Sequence, residues 1–343
     1  MLRFTKGCLA VHPELSMLTF IVRRLLAMIP TLFLVSILTF IIIELPPGDF
    51  MTSLAALVGS SGSSMDQATI DNMRHQYGLD QPAHIRYLTW MAGMLHGDFG
   101  YSLDWKRPVG ELIGGRLALT VLLSLLSLAI TWMIAIPIGI YSATHQYSLG
   151  DNVLSFLSFL GLSVPEFLLA LVYMAVGIFF FGVSVTGLFS SEMETAPWSL
   201  EKALDLARHI LIPALILGAA GIAQLMRIMR GSMLEVLGQQ FITTARAKGL
   251  TEKKVTNKYA ARVSINPLIS VMGMQLPNLI SGATILGIVL SMPTIGPLFY
   301  RALTSQDMYL AGTILLFLAL LLMLGNLLAD IALAWADPRI RLE

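Results

Sequence analysis

The sequence predicts an all-α, polytopic membrane bundle of about six helical spans. Three observations carry that prediction. The 343 residues are 56% hydrophobic and only 13% charged, whereas a soluble globular chain carries about 25% charged residues. The mean hydropathy is +0.75. The apolar residues also gather into separate runs, each long enough to cross roughly 30 Å of hydrocarbon at about 1.5 Å per residue. A net charge of +1 gives no sign of a nucleic-acid partner, so the distribution of charge matters more than its sum. Cys8 is the single cysteine, which excludes an intrachain disulfide and a cysteine-based metal site.

Residues 1–17 read as a cytoplasmic tail of mixed polarity containing Pro13, neither a signal peptide nor a span. The segment Met17–Arg24 also has the look of an amino terminus, so Met17 is a second candidate start. The membrane region, 18–343, then unfolds in order. The first run is about Leu25–Ile43, closed by Glu44. A large outer loop, 45–116, follows. In it Ser64 or Asp66 can cap a helix bearing Ile70, Met73 and Tyr77 on one face. Beyond Gly78 and Pro82, a second helix places Ile85, Leu88, Met91 and Leu95 at helical spacing. Both suit a small helical cap lying on the bundle or on the lipid surface.

The second run is Leu117–Tyr141, free of charge. The third extends from about Asn152 to Gly187, with Glu166 as its one charge. The fourth is Ile210–Met226, the fifth Val263–Met292 and the sixth Leu310–Ala329. Pro30, Pro137, Pro165, Pro213, Pro267 and Pro277 interrupt them. In lipid such breaks survive where neighbouring helices satisfy the freed carbonyls, so these spans should pack on one another. The 188–208 loop, with Pro197 and Trp198, adds to the outer cap.

Six spans put both termini on one side. The amino segment, the loop 227–262 and the carboxyl end hold fourteen of the 22 lysines and arginines. The positive-inside rule makes those segments cytoplasmic. There is no G-x-x-x-x-G-K-[ST] phosphate loop and no Gly-Lys pair, so the chain binds no ATP by itself. The six histidines are scattered, without a metal-ligating spacing. The expectation is a non-catalytic subunit with no cofactor and no metal.

Within the cytoplasmic loop, Phe241–Lys248 reads as a short helix of good formers stopped at Gly249, a residue suited to the left-handed stop. Thr251 then caps a second short helix that runs into the fifth span at Asn266-Pro267. Small side chains at Ala245 and Ala247 and the bare turn at Gly249 would let another protein approach closely. Charge alone would equally describe a basic loop that only orients the chain. Glu166 follows Pro165 inside the third run and has two readings: it lines a pathway, or it caps a proline break or faces an interfacial cavity. Asn326 and Asp330, four apart in the sixth run, suit packing or an interfacial role, and the methionines suit helix packing.

Thr243-Thr244-Ala245-x-x-x-Gly249, followed by a basic helix and Ile265-Asn266-Pro267, resembles the EAA loop of ABC importer permeases. Ala245 and Gly249 match that motif. Thr243 and Thr244 replace its Glu and first Ala, and the interval to Pro267 is longer, as in the dipeptide/oligopeptide/nickel subfamily. Further similarities run in order from about 18 to 341: Arg23-Arg24-Leu25-Leu26 with Ile29-Pro30, Pro47-Gly48-Asp49, Tyr77–Pro82, Gly97–Ser102 and Asp337–Arg341. The likeness is greatest to the first of the two permease subunits of such importers, which have the type I permease architecture.

The resemblance implies a second homologous permease, two cytoplasmic ATPase subunits, and a periplasmic or lipid-anchored substrate-binding protein, assembled in the lipid of a bacterial cytoplasmic (inner) membrane. It implies an ATPase-coupling role for Thr244, Ala245, Ala247, Gly249 and Leu250 within the 241–256 element, and leaves Glu166 as the candidate pathway residue. It implies import of di- or oligopeptides, nickel chelates or oligosaccharides. Two other classes remain at this stage. An ATP-independent channel or secondary transporter predicts an inverted repeat or paired membrane carboxylates. A scaffold needs no lever helix.

Overall fold

The computed structural model describes residues 13–60, 66–182, 185–190 and 192–336. Cys8, most of the expected tail, the Ser64 cap and the Asp337–Arg341 motif lie outside them. Helix α1, Pro13–Glu44, begins on a proline, the residue that a first helical turn accepts because its missing N–H would be unpaired there anyway. Leu26, Ile29, Phe33 and Leu34 stay exposed along it. The opposite side packs on the last helix.

The 45–116 loop contains the two expected helices, α3 (Gln67–Gln76) and α4 (Ala83–Leu95), and two unforeseen features, a further helix α2 (Phe50–Ser60) ahead of them and a two-stranded antiparallel ribbon. Its strands are β1 (Tyr101–Ser102) and β2 (Arg107–Pro108), with Tyr101 opposite Pro108. Asp49 accepts the Thr52 N–H at 2.8 Å and receives Arg74 Nε at 2.7 Å, so one carboxylate starts α2 and ties it to α3. Asp66 occupies the N-cap of α3 without a side-chain bond. In α4 the expected apolar stripe splits: Ile85, Leu88 and Leu95 face outward, Leu88 being 62% and Leu95 80% exposed, while Met91 packs inward. Trp90 turns inward with it, beside Tyr87 and Met94. Gly312 leaves the space its ring needs, since a Cβ there would come 3.0 Å from the indole.

The bundle consists of α5 (Val109–Thr144), α6 (Leu149–Ser163), α7 (Glu166–Phe181), α8 (Leu200–Leu237), α9 (Gln240–Ala247), α10 (Glu252–Lys254), a π-helical turn (Val255–Ala260), α11 (Ala261–Ser264), α12 (Asn266–Val289), α13 (Ile295–Thr304) and α14 (Met308–Ala336). Among the described residues four helices are long and apolar enough to cross a membrane, or six if each of two bent pairs is one span. The third run is therefore not one straight helix. Val164 is extended ahead of Pro165, as the proline ring requires of its predecessor, and α6 meets α7 at 104°. Helix α8 outruns the expected fourth run, Ile210–Met226, at both ends. It takes in the end of the 188–208 loop and the first part of 227–262.

α5 and α8 share the most extensive helix contact. Small residues let them approach: a Cβ on Gly218 would lie 2.5 Å from Thr131 Oγ1, and one on Gly139 2.6 Å from the Met229 Cβ. With lipid as apolar as the core, such close backbone packing carries the helix association. In the first half of α1, Arg24 pairs with Asp330 of α14 at 3.0 Å.

Candidate functional site: the coupling element and the membrane carboxylate

α8 delivers the chain to Leu237, and α9 folds back beneath the bundle. Ile242 and Ala245, three apart on one helical face, are buried with Val255, Ala260 and Leu268 and with Met229 and Met233 of α8. Phe241, Thr243, Thr244, Arg246, Ala247 and Lys248 face outward. Gly249 has φ +73° with no atom within 4 Å of a Cβ built there, so its requirement is conformational, not steric. The Leu250 N–H donates to the Ala245 carbonyl at 3.4 Å and the Gly249 N–H to that of Arg246 at 2.9 Å. This is the paired closure of a Schellman stop.

Across that turn Arg246 grips Glu252 through Nε–Oε1 at 2.8 Å and Nη2–Oε2 at 3.2 Å. Thr251 holds the N-cap position of α10 without a side-chain bond. The second helix is shorter than the sequence suggests. After one turn the backbone passes into the π-helical turn, then α11, and enters α12 at Asn266-Pro267. A π turn inside a helix leaves an over-wide register that often marks a functional joint.

A cavity of about 820 Å³ separates this element from the end of α5; Tyr141, His145, Arg246, Glu252 and Asn257 line it. Beside it, Asp151 takes Arg230 Nε and Nη2 at 3.0 and 2.9 Å. That pair locks α6 to the end of α8. The reading of the sequence missed it, although Ser148-x-x-Asp151 has the spacing of a helix cap, and Ser148 does accept the Asp151 N–H at 3.1 Å.

The structure gathers Thr244, Ala247 and Gly249 on one exposed surface, but it removes Ala245 from that surface. Ala245 is 6% exposed and points into the chain's own core, as the half-buried Leu250 does. Its small size serves the close seating of α9 on the bundle rather than a partner's approach. Glu166 lies far from this element in the fold, in the first turn of α7 just after the break. Its side chain has no hydrogen bond or ion pair among the described residues, and its carboxylate abuts Gly282 of α12, where a Cβ would come 2.4 Å from Oε2. A carboxylate at a helix start is favoured by the free N–H groups there. Glu166 thus follows the proline break, although no side-chain cap hydrogen bond closes the start of α7. No group of three or more His, Cys, Asp or Glu among the described residues could hold a metal.

Residues 135–342 match the family described as the binding-protein-dependent transport system inner membrane component. Residues 17–125 match the amino-terminal part of the same systems' membrane component. The chain is similar to the oligopeptide transport system permease protein AppB of Bacillus subtilis, with 35% identity over 94% of this chain and 99% of that protein. It is 35% identical to a putative peptide permease of Brucella ovis, over 95% and 99% of the two chains. It is 32% identical to the dipeptide transport system permease protein DppB of Escherichia coli, again over 95% and 99%. A broken, proline-rich helical bundle that carries a capped, outward-facing helix between its fourth and fifth spans, matched almost end to end, belongs to the inner-membrane permease family of binding-protein-dependent transport systems, as a multi-pass, non-catalytic subunit.

Proposed function

We propose that this chain is the first-type permease of an ATP-driven peptide importer, driven through α9 by separate ATPase subunits. Family membership sets aside the channel and scaffold readings. The named relatives are peptide permeases, which favours di- and oligopeptides over oligosaccharides and nickel chelates. The observation that carries the coupling role is the two-sidedness of α9. Its inner face is fixed to α8 and the π-helical turn, and its outer face of Thr243, Thr244, Ala247 and Lys248 is exposed, with small side chains at all but Lys248.

In this reading a second homologous permease completes the pathway, two ATPases dock below, and a binding protein delivers peptide on the opposite side. Both termini share the side of α9. Closure of the ATPases pushes α9, and the Schellman stop and the Arg246–Glu252 grip pass the motion to α12 through the π-helical joint. The two states must differ in their contacts, because equal docking in both would shift no equilibrium. Glu166, unpaired at the α6–α7 break, lines the path near α12. The test is ATP-dependent peptide uptake by the assembled importer in proteoliposomes. Thr244→Arg or Ala247→Arg, on the outer face, should abolish uptake while the protein still inserts. Undiminished uptake in both variants would remove α9 as the coupling surface.

A further inference from the structure

About 38 Å from Tyr141 along α5, at about 1.5 Å per residue, the opposite end of the bundle holds a cationic site that the coupling role does not use. The Arg116 guanidinium lies 4.9 Å over the Trp105 ring, and that of Arg301 lies 4.6 Å from the same ring. Arg301 is neutralised by Asp104, with Nε–Oδ2 at 2.6 Å, and Arg107 by Glu111, with Nη2–Oε2 at 2.9 Å. Arg116 has no acid. Its Nη1 and the Trp105 Nε1–H are both shielded from solvent, and both lack a hydrogen-bond partner.

Two recesses meet at Arg116. One, about 330 Å³, is walled by Trp105, Ser291, Thr294, Tyr300 and Arg301. The other, about 460 Å³, lies towards Phe189 and Trp198. The Thr294 hydroxyl, also unpartnered, is turned against Gly287 and takes no part. Trp105 is held in place by its backbone N–H on Ser102 Oγ at 3.1 Å, and Ser102 in turn donates to buried Asp307 at 2.6 Å. Ser291, on the wall, has φ +52°, a strained conformation of the kind that clusters where a ligand is held.

Guanidinium and indole N–H groups only donate, so an acceptor alone can satisfy them. The planar fork of arginine matches an oxyanion. A buried donor left unpaired is costly, and native structures keep such groups where another species completes them. We propose that Arg116 and the Trp105 indole form a subsite for the free carboxyl terminus of the peptide cargo as it enters the permease. This inference rests on the peptide reading above. The two neighbouring arginines carry permanent counter-charges. Arg116 carries none, which suits an anion present only during transport.

The experiment uses the assembled importer with its binding protein and ATP, and offers one peptide as the free acid and as its C-terminal amide. Because the binding protein can itself discriminate, the quantity read is the change in the acid-to-amide uptake ratio when only the permease is altered. Arg116→Gln should lower that ratio about tenfold, the scale of a charge-assisted hydrogen bond. Arg116→Lys should lower it less, and Trp105→Phe, which keeps the ring and loses the N–H, should also lower it. A ratio unchanged in all three variants overturns the proposal. An equal loss for acid and amide assigns the site instead to a standing anion, such as a lipid phosphate or a partner's acid. If the unaltered importer takes up neither peptide with ATP, the peptide reading falls and this inference with it; uptake of both with an unmoved ratio sinks the inference alone.

Discussion

Ile242→Ala tests whether α9 works as a rigid part. Ile242 is fully buried, in a cluster shared by α5, α8, α9, the π-helical turn and α12. Truncating a packed isoleucine to alanine costs about 2–5 kcal/mol. α9 has eight residues, short of the roughly 12–15 that an isolated helix needs, so it has little stability apart from its seat. The loss should therefore fall on the docking of α9 and leave the bundle assembled. Even the low end of that range, about 2 kcal/mol, raises the undocked population about thirtyfold. Hydrogen exchange on the assembled importer should show the amides of residues 242–250 exchanging about thirtyfold faster, with α14, which has no residue in that cluster, unchanged. ATP-driven uptake should fall in step. If exchange in 242–250 stays as slow as before, the packing argument is wrong. If exchange accelerates and uptake persists, the rigid-lever argument is wrong.

Two further outcomes follow from the geometry. Burial pushes the Asp49 carboxyl up, but hydrogen bonds from Arg74 and Thr52 outweigh it and bring its pKa from 3.8 to about 2. A carboxylate with a depressed folded pKa stabilises above its unfolded value and loses that contribution as pH falls through the folded one. Protection of the α2–α3 pair against proteolysis should thus decline between about pH 4 and pH 2, and Asp49→Asn should be weaker at neutral pH and flat across that window; a variant as acid-sensitive as the parent would refute the assignment. Gly282→Ala should displace the Glu166 carboxylate, since the new Cβ would sit 2.4 Å from Oε2, and lower uptake. Adding Glu166→Ala should relieve the clash, so a double variant no better than the sum of the two losses would count against contact between them.

Much of the coupling element was legible because its determinants are local. Gly249 is the residue type that a left-handed stop requires, and Gly249 does have φ +73°. Pro165 dictates an extended Val164, and the chain breaks there. The facing of α9 was not legible. Ala245 was expected outward and lies inward, because a helix of eight residues with Ile242, Ala245 and Phe241 on its surface offers two apolar sides. Only Ile242 and Ala245 found α8 to cover them. The break angle of 104° and the partner of Asp151, 79 residues away at Arg230, were equally out of reach, being set by packing between distant segments.

The sequence by itself determined that the chain is a membrane bundle, where its apolar runs lie and where prolines interrupt them. It also showed which short helix sits between the fourth and fifth. These depend on run length, backbone stereochemistry and capping, which are properties of neighbouring residues. Tertiary structure decided which side of each helix is inside. In water an apolar stripe marks the core, but in lipid the outer face is as apolar as the inner one, so hydrophobic spacing loses its phase. In the 45–116 loop too, packing decided that Trp90 rather than Leu88 meets the bundle. Only the folded chain brings the ribbon, the start of α5 and α13 around the Trp105 ring.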